Sequence, residues 1–141
     1  MTDAAKTFEG SCHCGQVRYR VTGPWERMTH CHCTDCQKSH GAPFGTYVKV
    51  RSERFQILQG EEHLKSFDAA SGTRRVFCRI CGSKITGGDD GASGFVWAAA
   101  GTLDTPPDIP AERHFFVRSK ADWYEIHDDL PQDETYPEEG P

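Results

Sequence analysis

The sequence Cys31-His32-Cys33-Thr34-Asp35-Cys36 places three thiols within six residues and decides how the rest of this 141-residue chain is interpreted. Zinc in a structural site is nearly always held by four protein ligands, whereas a catalytic zinc keeps one position for water or substrate. Three neighbouring thiols therefore favour a catalytic ion. The alternative is a closed site in which a nearby histidine, such as His32 or His40, supplies the fourth ligand.

The other four cysteines form two pairs that flank this stretch. Cys12 and Cys14 lie before it, and Cys78 and Cys81 lie after it in a Cys-x-x-Cys-Gly turn. Glycine accepts the positive φ that such a turn needs, so backbone N–H groups can point at the sulfurs. We expect the two pairs to meet as one four-thiolate site, which divides the seven cysteines into four plus three.

A disulfide framework and a redox-active pair are the two competing interpretations of these cysteines. The number of cysteines is odd, and two cysteines separated by one residue reach disulfide geometry only with strain. A thioredoxin-like pair would need a helix after its first cysteine within a βαβ pattern, and the sequence around Cys78 shows neither. Metal binding is therefore the favoured interpretation.

Length and composition predict one domain with its own hydrophobic core. The chain has 36% hydrophobic residues and no apolar run long enough to span a bilayer, so we expect no membrane association. The first eight residues lack the apolar region of a secretory signal, which together with reduced thiols predicts a cytoplasmic protein. We expect a single zinc domain over residues 1–141 that ends in an acidic segment at 128–141.

Charge is concentrated in that acidic segment. Residues 128–141 contain six acidic residues and no lysine or arginine, so the formal charge of −5 becomes +1 for the other 127 residues. A nucleic-acid-binding domain normally carries a basic face, so no nucleic-acid partner is expected. Composition alone predicts a disordered tail, but Leu130 and Tyr136 are apolar anchors, and we expect part of the segment to dock. It could then cover the site or mediate self-association, so a homo-oligomer is one arrangement that the sequence allows.

Hydrophobic periodicity predicts a mainly β fold made of short strands. The clearest strand is 16–22, in which three apolar residues alternate with Arg18 and Arg20. Further short strands, each bounded by turn residues, are predicted at 25–29, 46–50, 55–58, 63–67, 74–77, 95–100 and 114–117.

Three other stretches complete the sequence-based description. Residues 95–100 are apolar on both faces and are expected to form a central strand. Residues 35–38 allow one helical turn, too short to be a packing element. The glycine-rich stretch 87–94 lacks the pattern of a phosphate-binding loop and is expected to be a long hairpin connection.

With the cysteines and strands in place, the chain resembles the glutathione-dependent formaldehyde-activating enzyme (GFA) family, which also includes centromere protein V-like domains. The resemblance runs nearly from end to end, and its ordered spacing is more specific than any single motif. Its elements are Gly10-Ser11-Cys12-His13-Cys14-Gly15 followed by Val17 and Tyr19, Cys31-His32-Cys33-Thr34-Asp35-Cys36, Phe77-Cys78-Arg79-Ile80-Cys81-Gly82, Ala100-Gly101-Thr102-Leu103-Asp104, and His114 with Ser119-Lys120-Ala121-Asp122-Trp123.

The resemblance implies an Mss4-like, complex β fold of short antiparallel strands that carries two zinc ions per chain. The ligands of the family's structural ion correspond to Cys12, Cys14, Cys78 and Cys81. The ligands of its catalytic ion correspond to Cys31, Cys33 and Cys36. The implied activity is that of a carbon–sulfur lyase, which adds a thiol such as glutathione reversibly to a small aldehyde such as formaldehyde.

The charge of the triplet agrees with thiol chemistry. Three thiolates give the zinc complex one net negative charge, so it acidifies water less well than an ion held by neutral histidines. A thiolate-rich zinc suits a sulfur ligand and would keep a substrate thiol deprotonated, although zinc could instead polarise the aldehyde oxygen. The alternative functions are a non-enzymatic zinc module that binds a protein partner and a metal-transfer protein.

Substrate contacts are less specific in the sequence than metal ligands. Glutathione carries two carboxylates, so its pocket should contain cations, and histidines near the triplet could move a proton. An aromatic residue close by could line the pocket or fill the core. The residues concerned are the cations Lys38, Arg51 and Arg54, the histidines His32 and His40, and Phe44.

Overall fold

The computed structural model describes residues 5–89 and 91–141, which fold into two β-sheets and one short α-helix. Among these residues, no helix has the length and hydrophobicity that crossing a membrane requires. The elements in chain order are β1 (Thr7–Ser11), β2 (Arg18–Thr22), β3 (Arg27–Cys31), α1 (Thr34–His40), β4 (Gly45–Arg51), β5 (Phe55–Gln59), β6 (Leu64–Asp68), β7 (Arg74–Cys78), β8 (Lys84–Gly87), β9 (Phe95–Ala99) and β10 (Ala111–Phe115).

The two sheets differ in size and enclose the hydrophobic core between them. The smaller has the order β1-β2-β5, and the larger has the order β10-β3-β4-β9-β8-β7-β6. From the smaller sheet, Tyr19 and Val21 of β2 are fully buried, as the alternation in 16–22 predicts. From the larger sheet, Val48 and Val50 of β4 belong to the same buried cluster. The mainly β class is thus confirmed, and β9 is the central strand of the larger sheet.

Several features of the described residues differ from the sequence-based prediction. Strands β1 and β8 were not predicted, and the glycine-rich connection begins only after β8 ends at Gly87. Residue 90 of that predicted connection lies outside the described residues. The single helical turn predicted at 35–38 is a seven-residue helix, and it does pack, because Cys36 on its inner face is buried.

One strand pair is parallel, although antiparallel strands were expected throughout. β10 runs parallel to β3 and places Phe115 beside Cys31, whereas every other pairing among the described strands is antiparallel. A parallel pair needs a long crossover between its strands, and here the chain builds β4 to β9 before it returns. The end of β10 is thereby brought next to the cysteine triplet.

The acidic C-terminal segment docks along the outer edge of β10, as its apolar anchors predict. The N–H of His114 donates to the carbonyl of Pro131 at 2.9 Å, and the N–H of Asp133 donates to the carbonyl of His114 at 2.8 Å. The Tyr136 ring packs on Phe116, with 4.8 Å between ring centroids. The segment therefore covers a strand edge that would otherwise expose unpaired backbone groups.

Candidate metal centres

Four cysteines from two distant loops converge into what we term the four-cysteine cluster: Cys12, Cys14, Cys78 and Cys81. Their Sγ atoms all lie within 4.8 Å of one another, a spacing that could hold a metal ion. The first pair follows β1 of the smaller sheet, and the second lies in the turn between β7 and β8 of the larger sheet. The cluster therefore bridges the two sheets.

Each pair sits in a tight turn closed by a glycine. Gly15 and Gly82 both have a φ of 80°, a left-handed conformation that glycine adopts without a steric penalty. The N–H of Gly82 donates to the carbonyl of Cys78 at 2.7 Å and closes the turn. Burial opposes ionisation of Cys12, but the Val17 N–H, which donates to its Sγ at 3.2 Å, and the neighbouring thiols lower its pKa overall.

Three cysteines at the junction of β3 and α1 form the second group, which we term the triplet: Cys31, Cys33 and Cys36. Their Sγ atoms also lie within 4.8 Å of one another. Cys33 caps the helix, because its Sγ accepts the Cys36 N–H at 3.3 Å. Hydrogen bonds from the other two thiols lower the pKa of Cys33 to about 2. Such a preformed group of sulfurs suits a thiophilic cation such as zinc.

The two histidines considered as a fourth ligand are both engaged elsewhere. The Nε2 atom of His32 lies 2.8 Å from Nδ1 of His114, and the Nε2 atom of His40 lies 2.6 Å from the Tyr47 hydroxyl. Within the described part of the chain, no histidine, aspartate or glutamate joins the three sulfurs. The structure thus gives no support to a triplet closed by a histidine.

A cavity of about 240 Å³ opens beside the triplet. Four aromatic side chains form part of its wall, and hydroxyl groups, glycines and the charged side chains of Arg75 and Asp89 complete it. The C-terminal segment contributes two of the wall residues. The residues lining it besides the three cysteines are Thr29, Tyr47, Ser71, Gly72, Thr73, Arg75, Gly87, Gly88, Asp89, Trp97, Phe115, Tyr136 and Pro141.

All seven cysteines lie within residues 7–119, the part of the chain that matches a family model described as "Glutathione-dependent formaldehyde-activating enzyme". The chain belongs to this family. A protein of Halomonas elongata, provisionally named as a glutathione-dependent formaldehyde-activating enzyme, is 32% identical to it over 127 residues, which cover 84% of this chain and 80% of that protein.

A solved structure supports the fold of this GFA-family chain. The crystal structure of a Rhodobacter sphaeroides protein superposes on it with a TM-score of 0.56, over 68% of this chain and 87% of that one. The two sequences are 19% identical, so the likeness concerns the fold alone.

The GFA-family match ends at residue 119, yet the surroundings of the triplet extend beyond it. Asp128 accepts a hydrogen bond from Nε2 of His114 at 3.0 Å, which lowers the pKa of Asp128. The Nδ1 atom of His114 then accepts from His32, and burial lowers the pKa of His32 to about 4, so His32 is neutral. Phe44 packs on this histidine group and does not line the cavity. His32 therefore ties the triplet segment to the C-terminal segment.

The cations considered for glutathione binding do not line the cavity of this GFA-family chain. Lys38 is exposed, Arg51 lies over the Phe95 ring, and Arg54 donates to the carbonyl of Gly23. None of the three lies among the residues that line the cavity, so a contact between these cations and glutathione stays a prediction.

Among the described residues, Arg75 is the cation that lines the cavity, and it was not predicted from the sequence. Its guanidinium donates to the Tyr47 hydroxyl at 2.7 Å and to Sγ of Cys36 at 3.5 Å. Because Tyr47 accepts from Arg75, its own proton points to Nε2 of His40, whose pKa is lowered to about 4, mainly by burial. One sequence signal does point to Arg75. It lies two residues before Phe77 in a strand, so the two side chains share a face, whereas a surface arginine would be expected to alternate with apolar residues.

Proposed function

We propose that this chain catalyses the reversible addition of a thiol to a small aldehyde at the triplet, which makes it a carbon–sulfur lyase. The observation that carries the proposal is the cavity of about 240 Å³ that the sulfurs of Cys31, Cys33 and Cys36 share with aromatic walls. Membership of the family supports the same chemistry. A purely structural cluster would have no use for such a cavity.

We further propose that the two cysteine groups hold two zinc ions with different roles. The four-cysteine cluster provides a complete tetrahedral ligand set, which is typical of a structural ion, whereas the triplet provides one ligand fewer, which is typical of a catalytic ion. A zinc ion bound at the triplet would supply a soft Lewis acid that stabilises a substrate thiol as its thiolate. The donor atoms of both groups fit zinc better than a hard cation.

The proposed reaction is balanced without an oxidant or a reductant. The thiol loses its proton, its sulfur forms a bond to the aldehyde carbon, the carbonyl π bond breaks, and the oxygen takes up a proton to give a hydroxymethyl thioether. We assign proton transfer to His40, which contacts the cavity through the Tyr47 hydroxyl at 2.6 Å. Burial lowers the pKa of His40 to about 4, so its neutral Nε2 accepts the hydrogen bond of the Tyr47 hydroxyl, and a proton that passes through Tyr47 would be released again rather than retained.

We take glutathione as the first thiol to test and formaldehyde as the first aldehyde, because the family description names both. Arg75 is already engaged by Tyr47 and Cys36, so the two carboxylates of glutathione would need other donors, and Ser71 and Thr73 offer hydroxyl groups in the cavity wall. We also propose a cytoplasmic location, because all seven cysteines are free thiols and a reducing compartment keeps them so.

The decisive experiment is exchange spectroscopy by NMR with ¹³C-formaldehyde and glutathione at equilibrium. The zinc-loaded protein should speed up exchange between free aldehyde and hydroxymethyl thioether well above the rate without protein. Cys33→Ser should lose this acceleration, and the exposed-site variant Lys38→Ala should retain it.

Two negative results would have different meanings. Acceleration with 2-mercaptoethanol and not with glutathione would support the proposed reaction and show that glutathione is not its thiol substrate. A protein that accelerates exchange with neither thiol would overturn the proposal and favour a zinc module that binds a protein partner.

A further inference from the structure

Arg75 is a buried cation without a carboxylate partner among the described residues. Only 5% of its surface is exposed, and its guanidinium donates hydrogen bonds to the phenol of Tyr47 and the sulfur of Cys36. Burying a charge costs much free energy unless an opposite charge lies nearby. The groups that can meet this need are the cysteines of the triplet, which are thiolates when they bind a metal ion.

The charge of the proposed metal site likewise favours a cation nearby. Three thiolates around a divalent ion leave one net negative charge, so a fourth anionic ligand would approach a centre that repels it. The guanidinium of Arg75, with Nη2 at 3.5 Å from Sγ of Cys36, cancels that charge. Arginine keeps its proton at all relevant pH values, so the cancellation is permanent.

Two neighbours hold the guanidinium in this position. The hydroxyl of Tyr47 accepts one N–H at 2.7 Å, and its own orientation is set by His40 on its other side. The guanidinium carbon also lies 6.0 Å from the centroid of the Tyr47 ring, within reach of a cation–π contact. This arrangement fixes the charge beside Cys36 and at the wall of the cavity.

We infer that Arg75 is a positioning residue that offsets the charge of the triplet thiolates and thereby sets how strongly an ion held there binds an anionic fourth ligand. The inference applies to simple inorganic anions as well as to a substrate thiolate. It rests on the proposed metal ion at the triplet, and its extension to the substrate rests on the proposed reaction as well.

The test uses protein loaded with cobalt, whose absorption bands report the ligands of the ion directly. Azide serves as a small anion, 2-mercaptoethanol as a thiol with no other charge, and imidazole as a neutral ligand. Removing an opposite charge at about 4–6 Å changes the balance between a charged and a neutral form by about 10- to 1,000-fold. Arg75→Gln should therefore weaken azide and thiolate binding at least tenfold and leave imidazole binding nearly unchanged.

Two further variants separate charge from structure. Arg75→Lys keeps the positive charge and should restore most of the affinity for azide. Tyr47→Phe keeps Arg75 but removes the hydrogen bond that orients it, so azide binding should weaken by a smaller factor. Melting temperatures are measured for each cobalt-loaded protein, and Tyr47→Phe and Arg75→Lys carry the test if Arg75→Gln does not fold.

The outcomes distinguish this inference from the proposed function. Equal losses of azide and imidazole binding, or azide binding that no variant changes, would overturn the role of Arg75. A wild-type protein that binds azide in an Arg75-dependent way but binds no thiol would support the role of Arg75 and would contradict the proposed thiol chemistry.

Discussion

The two cysteine groups differ in what they connect and in what lies beside them. The four-cysteine cluster joins loops of two different sheets, and its members Cys14 and Cys78 are 64 residues apart in the sequence. The triplet lies within one segment that runs from β3 into α1, and it faces a cavity with Arg75 in its wall. One group links distant parts of the chain, and the other brings local thiols to an open space.

The number of cysteines in each group and their separation in the sequence both favour a structural role for the four-cysteine cluster and a substrate-binding role for the triplet. A cross-link between distant residues removes much more freedom from the unfolded chain than a local one, so it stabilises the fold more. A local group contributes less to stability, and leaving one ligand position to the substrate therefore costs the fold little.

The largest effect is expected for Cys81→Ser compared with Cys33→Ser, two half-buried cysteines from the two groups. Zinc binding in small zinc domains contributes about 10–16 kcal/mol, which is comparable to the whole stability of a domain, about 5–15 kcal/mol. Cys81→Ser should therefore prevent stable folding. Cys33→Ser should fold with a modestly lower melting temperature, because its ion closes a loop of only a few residues.

Elemental analysis of the same proteins sharpens the comparison. We expect two zinc ions per wild-type chain and one per Cys33→Ser chain. A wild-type ratio near one, with triplet thiols that titrate freely under native conditions, would contradict the two-site proposal. If Cys33→Ser unfolds as badly as Cys81→Ser, the triplet is structural and the enzyme proposal loses its physical basis.

An intermediate effect is expected from deleting residues 128–141. The deletion exposes the outer edge of β10 and the Phe116 ring, and it removes Tyr136 and Pro141 from the cavity wall. Losing about 2–3 kcal/mol should lower the melting temperature by about 5–10 °C, measured calorimetrically. Ligand binding at the triplet should weaken, whereas zinc at the four-cysteine cluster should be retained.

A shorter deletion provides the control for this experiment. Removing residues 137–141 keeps the hydrogen bonds to β10 and the Tyr136 ring and loses only Pro141 and the contacts of Arg27 and Lys49 with the chain end, so the melting temperature should fall much less than after the longer deletion. An unchanged melting temperature after the longer deletion would mean that the docked segment contributes nothing to stability. Loss of zinc from both cysteine groups would mean that the segment does not act on the triplet selectively.

The smallest effect is expected for Asp133→Asn within the docked segment. Both carboxylate oxygens of Asp133 accept hydrogen bonds from Arg113 at 2.7 Å, which lowers the pKa of Asp133. Its contribution of about 1 kcal/mol is thus present above the unfolded-state pKa of about 4 and disappears as the pH falls through the lower folded-state value. Melting curves of variant and wild type should differ by about 3 °C at neutral pH and converge in acid.

The control is Asp129→Asn, which changes an exposed carboxylate of the same segment. It should leave the melting temperature unchanged at every pH. A difference between Asp133→Asn and wild type that persists in acid would show that the ion pair is not its cause.

Much of the fold could be predicted from the sequence, because its signals are local. The strand around Val17, Tyr19 and Val21 alternates in the sequence as it does in the structure. Strand β1 was missed because Gly10 interrupts its pattern, and the reason for that glycine is tertiary. A Cβ at Gly10 would lie 2.2 Å from the ring of Tyr19, so only glycine fits there.

The cavity wall could not be predicted either, because it too depends on tertiary contacts. Arg75 follows Arg74 in a polar stretch that looks solvated, and its burial depends on where β7 meets α1 and β4 in space. The contribution of Tyr136 depends on how the C-terminal segment docks. Metal ligands can be recognised from their spacing in the sequence. The groups that would change the charge and the ligand affinity of a metal ion come together only in the folded chain.

The bridge between the two sheets also bears on the order of events during folding. The ligands of the four-cysteine cluster meet only after both sheets have formed side by side, and contacts between distant residues slow folding. We therefore expect metal capture at these cysteines to be a late step, preceded by a stage in which Cys12 and Cys14 lack their partners. Free, accessible thiolates are open to oxidation at that stage. The yield of native protein in a cell should thus depend on zinc supply and reducing conditions while the chain folds, more than on either afterwards.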